Sequence, residues 1–165
     1  MKRAAASMSV LLLAAAGCGD AGSSNAAPTA EPASKPVPAA APKAKKRTGK
    51  RVTLHGSDYG KILADGRGRA LYLFTRDDGK SRCYGACADA WPPFLTKGAP
   101  RAGDRVKQGL LGTVKRSDGR KQVTYKGNPL YYYVGDDEPG EVLCQAVLEY
   151  GGYWYVVKRS GEPVK

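Results

Sequence analysis

The stretch Leu71-Tyr-Leu-Phe-Thr-Arg-Asp77 decides the fold, and Leu130-Tyr-Tyr-Tyr-Val-Gly-Asp136 closely repeats it. Both alternate with the period of two that is typical of β-strands, and both end in an aspartate at a turn. In the first stretch, the two aromatic side chains point to one face and the two leucines to the other. In the second, Tyr131 and Tyr133 face away from Leu130. Apolar side chains on both faces indicate strands that are covered on both sides, as in a sandwich or a partly closed sheet.

The signals around these two stretches recur in one order: strand, glycine turn, aromatic strand, aspartate turn, cysteine, tryptophan. This order predicts an internal duplication, with repeats at about 57–97 and 110–160. Because two copies are too few for a solenoid, we expect a single pseudo-symmetric all-β domain over 51–165. At most a short helix is expected near 84–91, since no long segment has helical periodicity.

The first 17 residues have the pattern of an export signal. Residues 1–17 combine a basic start, a short apolar core and small residues, which is typical of a secretory signal peptide cleaved before Cys18. A cysteine at the cleavage point makes this segment resemble a lipoprotein signal. The resemblance implies that Cys18 becomes the lipidated first residue and anchors the protein on the periplasmic or extracellular side of a membrane. The alternative is an ordinary cleaved signal with an incidental cysteine.

Residues 18–50 form a segment rich in Ala, Pro and Lys that lacks aromatic side chains. Such a composition buries too little apolar surface to offset the entropy of ordering, so it predicts a disordered tether. Its last part carries a cluster of basic side chains: Lys43, Lys45, Lys46, Arg47 and Lys50. Two interpretations stay open for this cluster. It is either a solvated, self-repelling spacer or a contact with anionic lipid headgroups or an anionic envelope polymer.

The charge distribution argues against a nucleic-acid-binding protein. The chain carries 27 Lys and Arg against 15 Asp and Glu, which gives a net charge of +12. Residues 51–165 carry 19 basic and 13 acidic side chains, which leaves +6, so half of the excess lies in the signal and the tether. A nucleic-acid reader concentrates its charge on the folded element, and the chain has no helix-turn-helix, zinc-finger or RNA-binding aromatic motif.

The motifs together carry a family resemblance. Both aromatic stretches fit the pattern Tyr-x-aromatic-x-x-Asp, through Tyr72, Phe74 and Asp77 in one and Tyr131, Tyr133 and Asp136 in the other. They are accompanied by Cys83-Tyr-Gly-Ala-Cys87, Trp91-Pro-Pro93 and Gln122-Val-Thr-Tyr125. With these motifs the chain closely resembles the bacterial secreted lipoprotein repeat family over nearly all of residues 51–160. The resemblance implies export, frequent lipid anchoring and tandem copies, and it implies no particular biochemical activity.

Cys83, Cys87 and Cys144 are the best candidates for a chemical role. In an oxidising compartment a disulfide is the default, and the spacing of Cys83 and Cys87 can close if the turn is tight. Cys144 follows the second aspartate turn much as Cys83 follows the first, so pairing across the repeats also stays open. Three cysteines leave one that is free, binds a ligand or joins another chain. Two interpretations stay open. In the first, two cysteines form a structural disulfide and the third is a thiol without a chemical role. In the second, the three form a redox-active or metal-binding cluster.

Metal ligands are harder to assign from the sequence. His55 is the only histidine and borders a Gly-Ser loop, where a surface role is the simpler interpretation. The acidic turns could hold Ca²⁺ through oxygen ligands but lack the ordered spacing of a calcium loop. Their carboxylates are Asp77, Asp78, Asp136, Asp137 and Glu138. The simpler prediction is that each turn aspartate accepts hydrogen bonds from the turn that follows it. His55, Asp77 and Asp136 are therefore kept only as weak candidates for metal ligands. No cofactor besides the lipid on Cys18 is expected.

The chain has no recognisable catalytic signature. One histidine gives no credible Ser-His-Asp set, and there is no Gly-x-Ser-x-Gly elbow, phosphate-binding glycine loop or His-Glu-x-x-His. A glycosidase-like carboxylate pair would leave no trace in sequence spacing and stays open. We therefore predict a non-enzymatic envelope lipoprotein that binds a partner or polymer or supports envelope structure. The alternative is a thiol-redox or metal and electron-transfer accessory protein that uses the three cysteines.

Overall fold

A computed structural model describes residues 47–165, so the predicted signal peptide, Cys18 and the tether up to residue 46 lie outside the described residues. The described part is built from short strands, one 3₁₀ turn (Gln108–Leu110) and one short helix, α1 (Ala86–Ala90). The strands are β1 (Arg51–Ser57), β2 (Gly60–Asp65), β3 (Tyr72–Phe74), β4 (Arg101–Ala102), β5 (Leu111–Lys115), β6 (Lys121–Tyr125), β7 (Asn128–Pro129), β8 (Val147–Glu149) and β9 (Gly152–Val156). The all-β prediction is confirmed, and the helix lies in the predicted range.

The strands form three small sheets, with the orders β2-β1-β4, β3-β9-β8 and β5-β6-β7. All neighbours are antiparallel except β1 and β4, which are parallel. Between residues 47 and 165, no helix has the length and apolar composition needed to cross a membrane.

The two aromatic stretches are less regular than the predicted strands. Only Tyr72–Phe74 of the first is a strand, and the second takes part in isolated bridges through Tyr131. The reason is that the second stretch divides its backbone hydrogen bonds among several partners. Tyr131 exchanges bonds with Tyr72, whereas the N–H groups of Tyr132 and Val134 donate to the carbonyls of Pro92 and Ala90, at 2.9 and 3.0 Å. A stretch with three different neighbours cannot form one continuous ladder.

The predicted alternation of faces is confirmed, and it separates two apolar cores. Leu71, Leu73 and Leu130 pack into one core, with Tyr132 against its edge. Tyr72, Phe74 and Tyr131 pack into the other, together with both tryptophans and the partly buried Tyr133. The aromatic stretches therefore lie between the two cores and contribute side chains to each.

Candidate functional site at the junction of the two repeats

The first tyrosines of the two motifs meet in the buried interior of residues 47–165. Tyr72 and Tyr131 form an antiparallel bridge, in which each N–H donates to the carbonyl of the other at 2.9 and 3.0 Å. Next to this bridge, β9 of the second repeat pairs with β3 of the first, and Pro93 of the first repeat bridges to Tyr131 of the second. Each aromatic stretch thus pairs with the tryptophan-containing segment of the other repeat.

The motif side chains also pair across the repeats. The Tyr72 hydroxyl donates to Asp136 Oδ2 at 2.6 Å, and the Tyr131 hydroxyl donates to Asp77 Oδ2 at 2.8 Å. Each tyrosine is therefore bonded to the aspartate of the other motif, and neither is bonded to its own. We call the four side chains, Tyr72, Asp77, Tyr131 and Asp136, the exchanged pairs.

The second oxygen of each aspartate closes the loop that follows it. Asp77 Oδ1 accepts the N–H of Arg82 at 2.8 Å, and Asp136 Oδ1 accepts the N–H of Leu143 at 3.0 Å. This is the structural role expected from the sequence for an aspartate at a turn. The same carboxylate therefore fixes a local loop and holds the other repeat, which explains the aspartate at the end of both motifs.

Aromatic rings fill the space beneath the exchanged pairs. Trp91 and Trp154 stack with ring centroids 4.1 Å apart and an interplanar angle of 6°. Tyr72 meets Trp91 edge-on at 5.2 Å, and Tyr131 meets Trp154 edge-on at 5.1 Å. The near-equality of these contacts makes the junction pseudo-symmetric, as the internal duplication predicts.

One end of the junction contains a buried arginine that the sequence analysis missed. The Arg116 guanidinium bonds to Ser81 Oγ, to Gln122 Oε1 at 2.8 Å and to the Cys83 carbonyl at 2.8 Å. Ser81 Oγ lies 2.8 Å from the Tyr131 hydroxyl, so this network reaches the Tyr131–Asp77 pair. An arginine ahead of a turn looks like any exposed arginine in sequence, and two of the groups that it contacts, in Ser81 and Cys83, lie more than thirty positions away.

Burial shifts the pKa values of the exchanged pairs. Burial raises the pKa of Asp77 to about 6, although the Tyr131 hydroxyl, the Arg82 N–H and the Arg116 charge act to lower it. Burial also raises the pKa of Asp136, against the lowering effect of the bonds from Tyr72 and Leu143. The pKa values of Tyr72 and Tyr131 are raised by burial and by the facing carboxylates. The tyrosines therefore stay protonated and keep donating to the aspartates.

The raised pKa of Asp77 predicts a pH dependence of stability. A carboxyl whose pKa is higher in the folded state than in the unfolded state favours folding most at low pH. This contribution is lost as the pH rises from about 4, the unfolded value, to about 6, the folded value, and amounts to about 1–3 kcal/mol. Thermal melts of the native chain and of Asp77→Asn across this range measure it. The melting temperature of the native chain minus that of Asp77→Asn should fall as the pH rises from 4 through 6. This difference should stay level above pH 7. A constant difference would contradict the shift.

The cysteines do not form one cluster. Cys83 and Cys87 form a disulfide with an S–S distance of 2.06 Å, and both are buried. Cys144 is a half-buried free thiol that packs against the core that contains both tryptophans. Of the two disulfide pairings that the sequence left open, the described residues contain the one between Cys83 and Cys87 and not one between Cys144 and the first repeat. Over residues 47–165, no three Cys, His, Asp or Glu side chains converge on one point, so nothing here supports the thiol-redox or metal alternative.

The three metal candidates lie in separate places. His55 is on β1, where its Nδ1 is 2.9 Å from the Gly56 carbonyl oxygen. Asp77 and Asp136 accept hydrogen bonds from different tyrosines, Tyr131 and Tyr72 respectively. Among the neighbouring acids, Asp78 forms an ion pair with Arg82, and the Glu141 carboxylate accepts the backbone N–H groups of Asp137 and Glu138.

A polar cleft of about 400 Å³ lies beside Asp136. Its lining residues are Lys50, Asp65, Arg67, Arg69, Tyr132, Asp136, Asp137 and Pro139. Asp65 accepts the N–H groups of Arg67 and Arg69 and the hydroxyl of Tyr132. Arg69 donates to the Tyr133 carbonyl at 2.7 Å and lies over the Tyr132 ring, while its Nε has no partner within residues 47–165. Most polar groups of this cleft are thus used to hold the fold.

Comparison with known families identifies the kind of chain that forms this junction. A family model described as a secreted repeat of unknown function matches residues 54–94 and again residues 112–158, together more than half of the 165 residues. The chain belongs to this family. Comparison with curated proteins and with solved structures gives no significant match.

The two matches show what the junction joins in this secreted repeat protein. Each match contains one tyrosine and one aspartate of the exchanged pairs, so these pairs are bonds between two family copies. The matches also lie close to the predicted repeats at about 57–97 and 110–160, which confirms the tandem duplication. The family description supports export, as the N-terminal segment predicts.

Proposed function

We propose that this secreted repeat protein is a lipid-anchored, non-enzymatic module of the cell envelope with a structural or binding role. The observation that supports this most strongly is the reciprocal bonding of the exchanged pairs. Each motif aspartate accepts two hydrogen bonds, one from a loop N–H and one from the tyrosine of the other repeat; Asp136 is fully buried and Asp77 is half-buried. Acids used in this way hold two repeats as one rigid body.

The disulfide fits the same proposal. Cys83 and Cys87 are both buried, next to the tryptophan that begins the Trp-Pro-Pro segment. Disulfides persist in oxidising compartments and are rare where glutathione keeps thiols reduced. An exported module of this size gains stability from such a bond, since the bond limits the freedom of the unfolded chain.

Membrane attachment is proposed to occur through lipid on Cys18. We expect the native chain, expressed in a bacterium, to sediment with membranes, and the variant Cys18→Ser to be found in the soluble fraction or as uncleaved precursor. Intact-mass measurement of the native protein should show a chain that begins at Cys18, carries acyl groups and contains one disulfide. A native protein without lipid that is cleaved at another residue and recovered in the soluble fraction would contradict the anchoring proposal.

A further inference from the structure

A concave groove of about 770 Å³ lies outside the junction and shares no residue with the exchanged pairs. It is formed where the chain enters β1, by the loop ahead of β4 and by the turn into β6. Backbone bonds fix these three segments to one another. The Gly49 N–H donates to Ala99 at 3.0 Å, the Lys50 N–H to the Thr96 hydroxyl at 3.1 Å, and the Thr96 N–H to Lys121 at 2.9 Å. The groove is therefore a fixed feature of the fold.

The close approach of two of these segments depends on Gly49. A Cβ at this position would collide with the carbonyl oxygens of Gly98 and Ala99, so a side chain here would force the wall of the groove apart. The groove surface is largely apolar carbon, to which Leu95 and the methylene stems of lysine and arginine contribute. A ligand in it would contact carbon along its length and positive charge at the rim.

The charge of the groove is uniform in sign. Six of its ten lining residues are basic and none is acidic; the six are Lys50, Arg51, Lys97, Arg101, Arg120 and Lys121. All six are exposed, and among them only Arg120 has an ion-pair partner within residues 47–165, namely Asp118 at 2.7 Å. Like charges held together in a concave site repel one another and attract counter-charge strongly. The groove is thus suited to a ligand with several negative groups.

We propose that this groove binds a linear anionic polymer of the cell envelope, one that carries a negative group on each repeating unit. The concave shape suits a chain better than a flat bilayer. In the sequence, the basic side chains of Lys43, Lys45, Lys46 and Arg47 come directly before Thr48, which lines the groove. Because these residues and the groove are both positively charged, the preceding segment of the chain is disfavoured as the ligand of the groove. The same repulsion disfavours the basic groove of a second copy of the protein as the ligand. The proposal deepens the binding role proposed above and rests on the envelope location.

The test compares two triple variants of the full chain, purified in non-ionic detergent. The groove variant is Lys50→Gln, Lys97→Gln and Lys121→Gln, and the matched control is Lys61→Gln, Lys80→Gln and Lys107→Gln. All six lysines are exposed and both variants lose the same charge, so only the location differs. The probes are end-labelled polyphosphate and polyglutamate, with binding read as fluorescence anisotropy at low and high salt. Vesicles containing phosphatidylglycerol are a separate arm.

The proposal predicts binding of at least one polymer that weakens about tenfold or more in the groove variant and less than about twofold in the control. The dependence of affinity on salt should also be shallower in the groove variant, since fewer counterions are released. Equal weakening in both variants, no polymer binding by the native chain, or groove-dependent binding to vesicles alone would overturn the proposal. These outcomes do not depend on Cys18, so loss of the anchor and loss of the groove ligand can be told apart.

Discussion

Replacement of Trp91 by alanine is expected to lower the free energy of unfolding by about 3–5 kcal/mol. Trp91 is fully buried, stacks on Trp154 and meets the edge of Tyr72. Its indole N–H donates to Glu149 at 2.9 Å, and the substitution removes that bond as well. A cavity would open beneath the exchanged pairs, where the surrounding strands from both repeats cannot collapse without breaking the Tyr72–Tyr131 bridge.

Thermal and denaturant unfolding measure this effect. We expect a fall in melting temperature of more than about 10 °C, because each kcal/mol shifts a domain of this size by several degrees. Tyr59→Ala is the matched control, since this ring is 44% exposed, and its effect should stay within about 0.5 kcal/mol. A Trp91→Ala variant as stable as the control would mean that the stacked tryptophans do not support the junction.

Replacement of Asp136 by alanine is expected to cost about 2 kcal/mol. The variant leaves the Tyr72 hydroxyl and the Leu143 N–H without their acceptor, and the hydroxyl is fully buried. Part of the loss is offset, because burial already disfavours the ionised carboxylate and raises the pKa of Asp136. Asp77→Ala should cost less, about 1 kcal/mol, because the Tyr131 hydroxyl keeps Ser81 as a neighbour and Asp77 is partly exposed.

The Asp136 prediction also separates a structural role from an ion-binding role. Denaturant unfolding is measured in buffer with chelator and again with added Ca²⁺. If the carboxylates only fix loops and repeats, the native chain is equally stable in both buffers. The loss of stability of each variant, relative to the native chain, is then also the same with chelator and with Ca²⁺. A native chain that Ca²⁺ stabilises, with the gain lost in Asp136→Ala, would contradict the structural role.

The sequence predicts the alternating faces of the aromatic stretches because side-chain direction follows a period of two, whatever the strand pairs with. It predicts the short helix because Ala86–Ala90 is bounded by a glycine turn and by Pro92 and Pro93. The predicted length of the second aromatic strand is wrong. The actual length depends on how Tyr131, Tyr132 and Val134 divide their backbone hydrogen bonds among partners that are distant in sequence.

The same distinction holds for the candidate site. The motif residues and the turn role of the aspartates follow from local spacing. That each tyrosine bonds to the aspartate of the other repeat does not, because bonds within one repeat would give the same sequence pattern. Neither the burial of Arg116 nor the groove can be predicted from the sequence. The basic side chains that line the groove lie at positions from 50 to 121, and none of them differs in sequence from an ordinary exposed basic residue.

A double-mutant cycle tests the exchanged pairs most directly. It combines Tyr72→Phe with Asp136→Ala and, as the matched comparison, Tyr72→Phe with Asp77→Ala, and reads the free energy of unfolding of each single and double variant. The structure predicts a coupling of about 1–2 kcal/mol for Tyr72 with Asp136, and additivity within about 0.5 kcal/mol for Tyr72 with Asp77. Strong coupling within the motif together with additivity across the repeats would contradict the account.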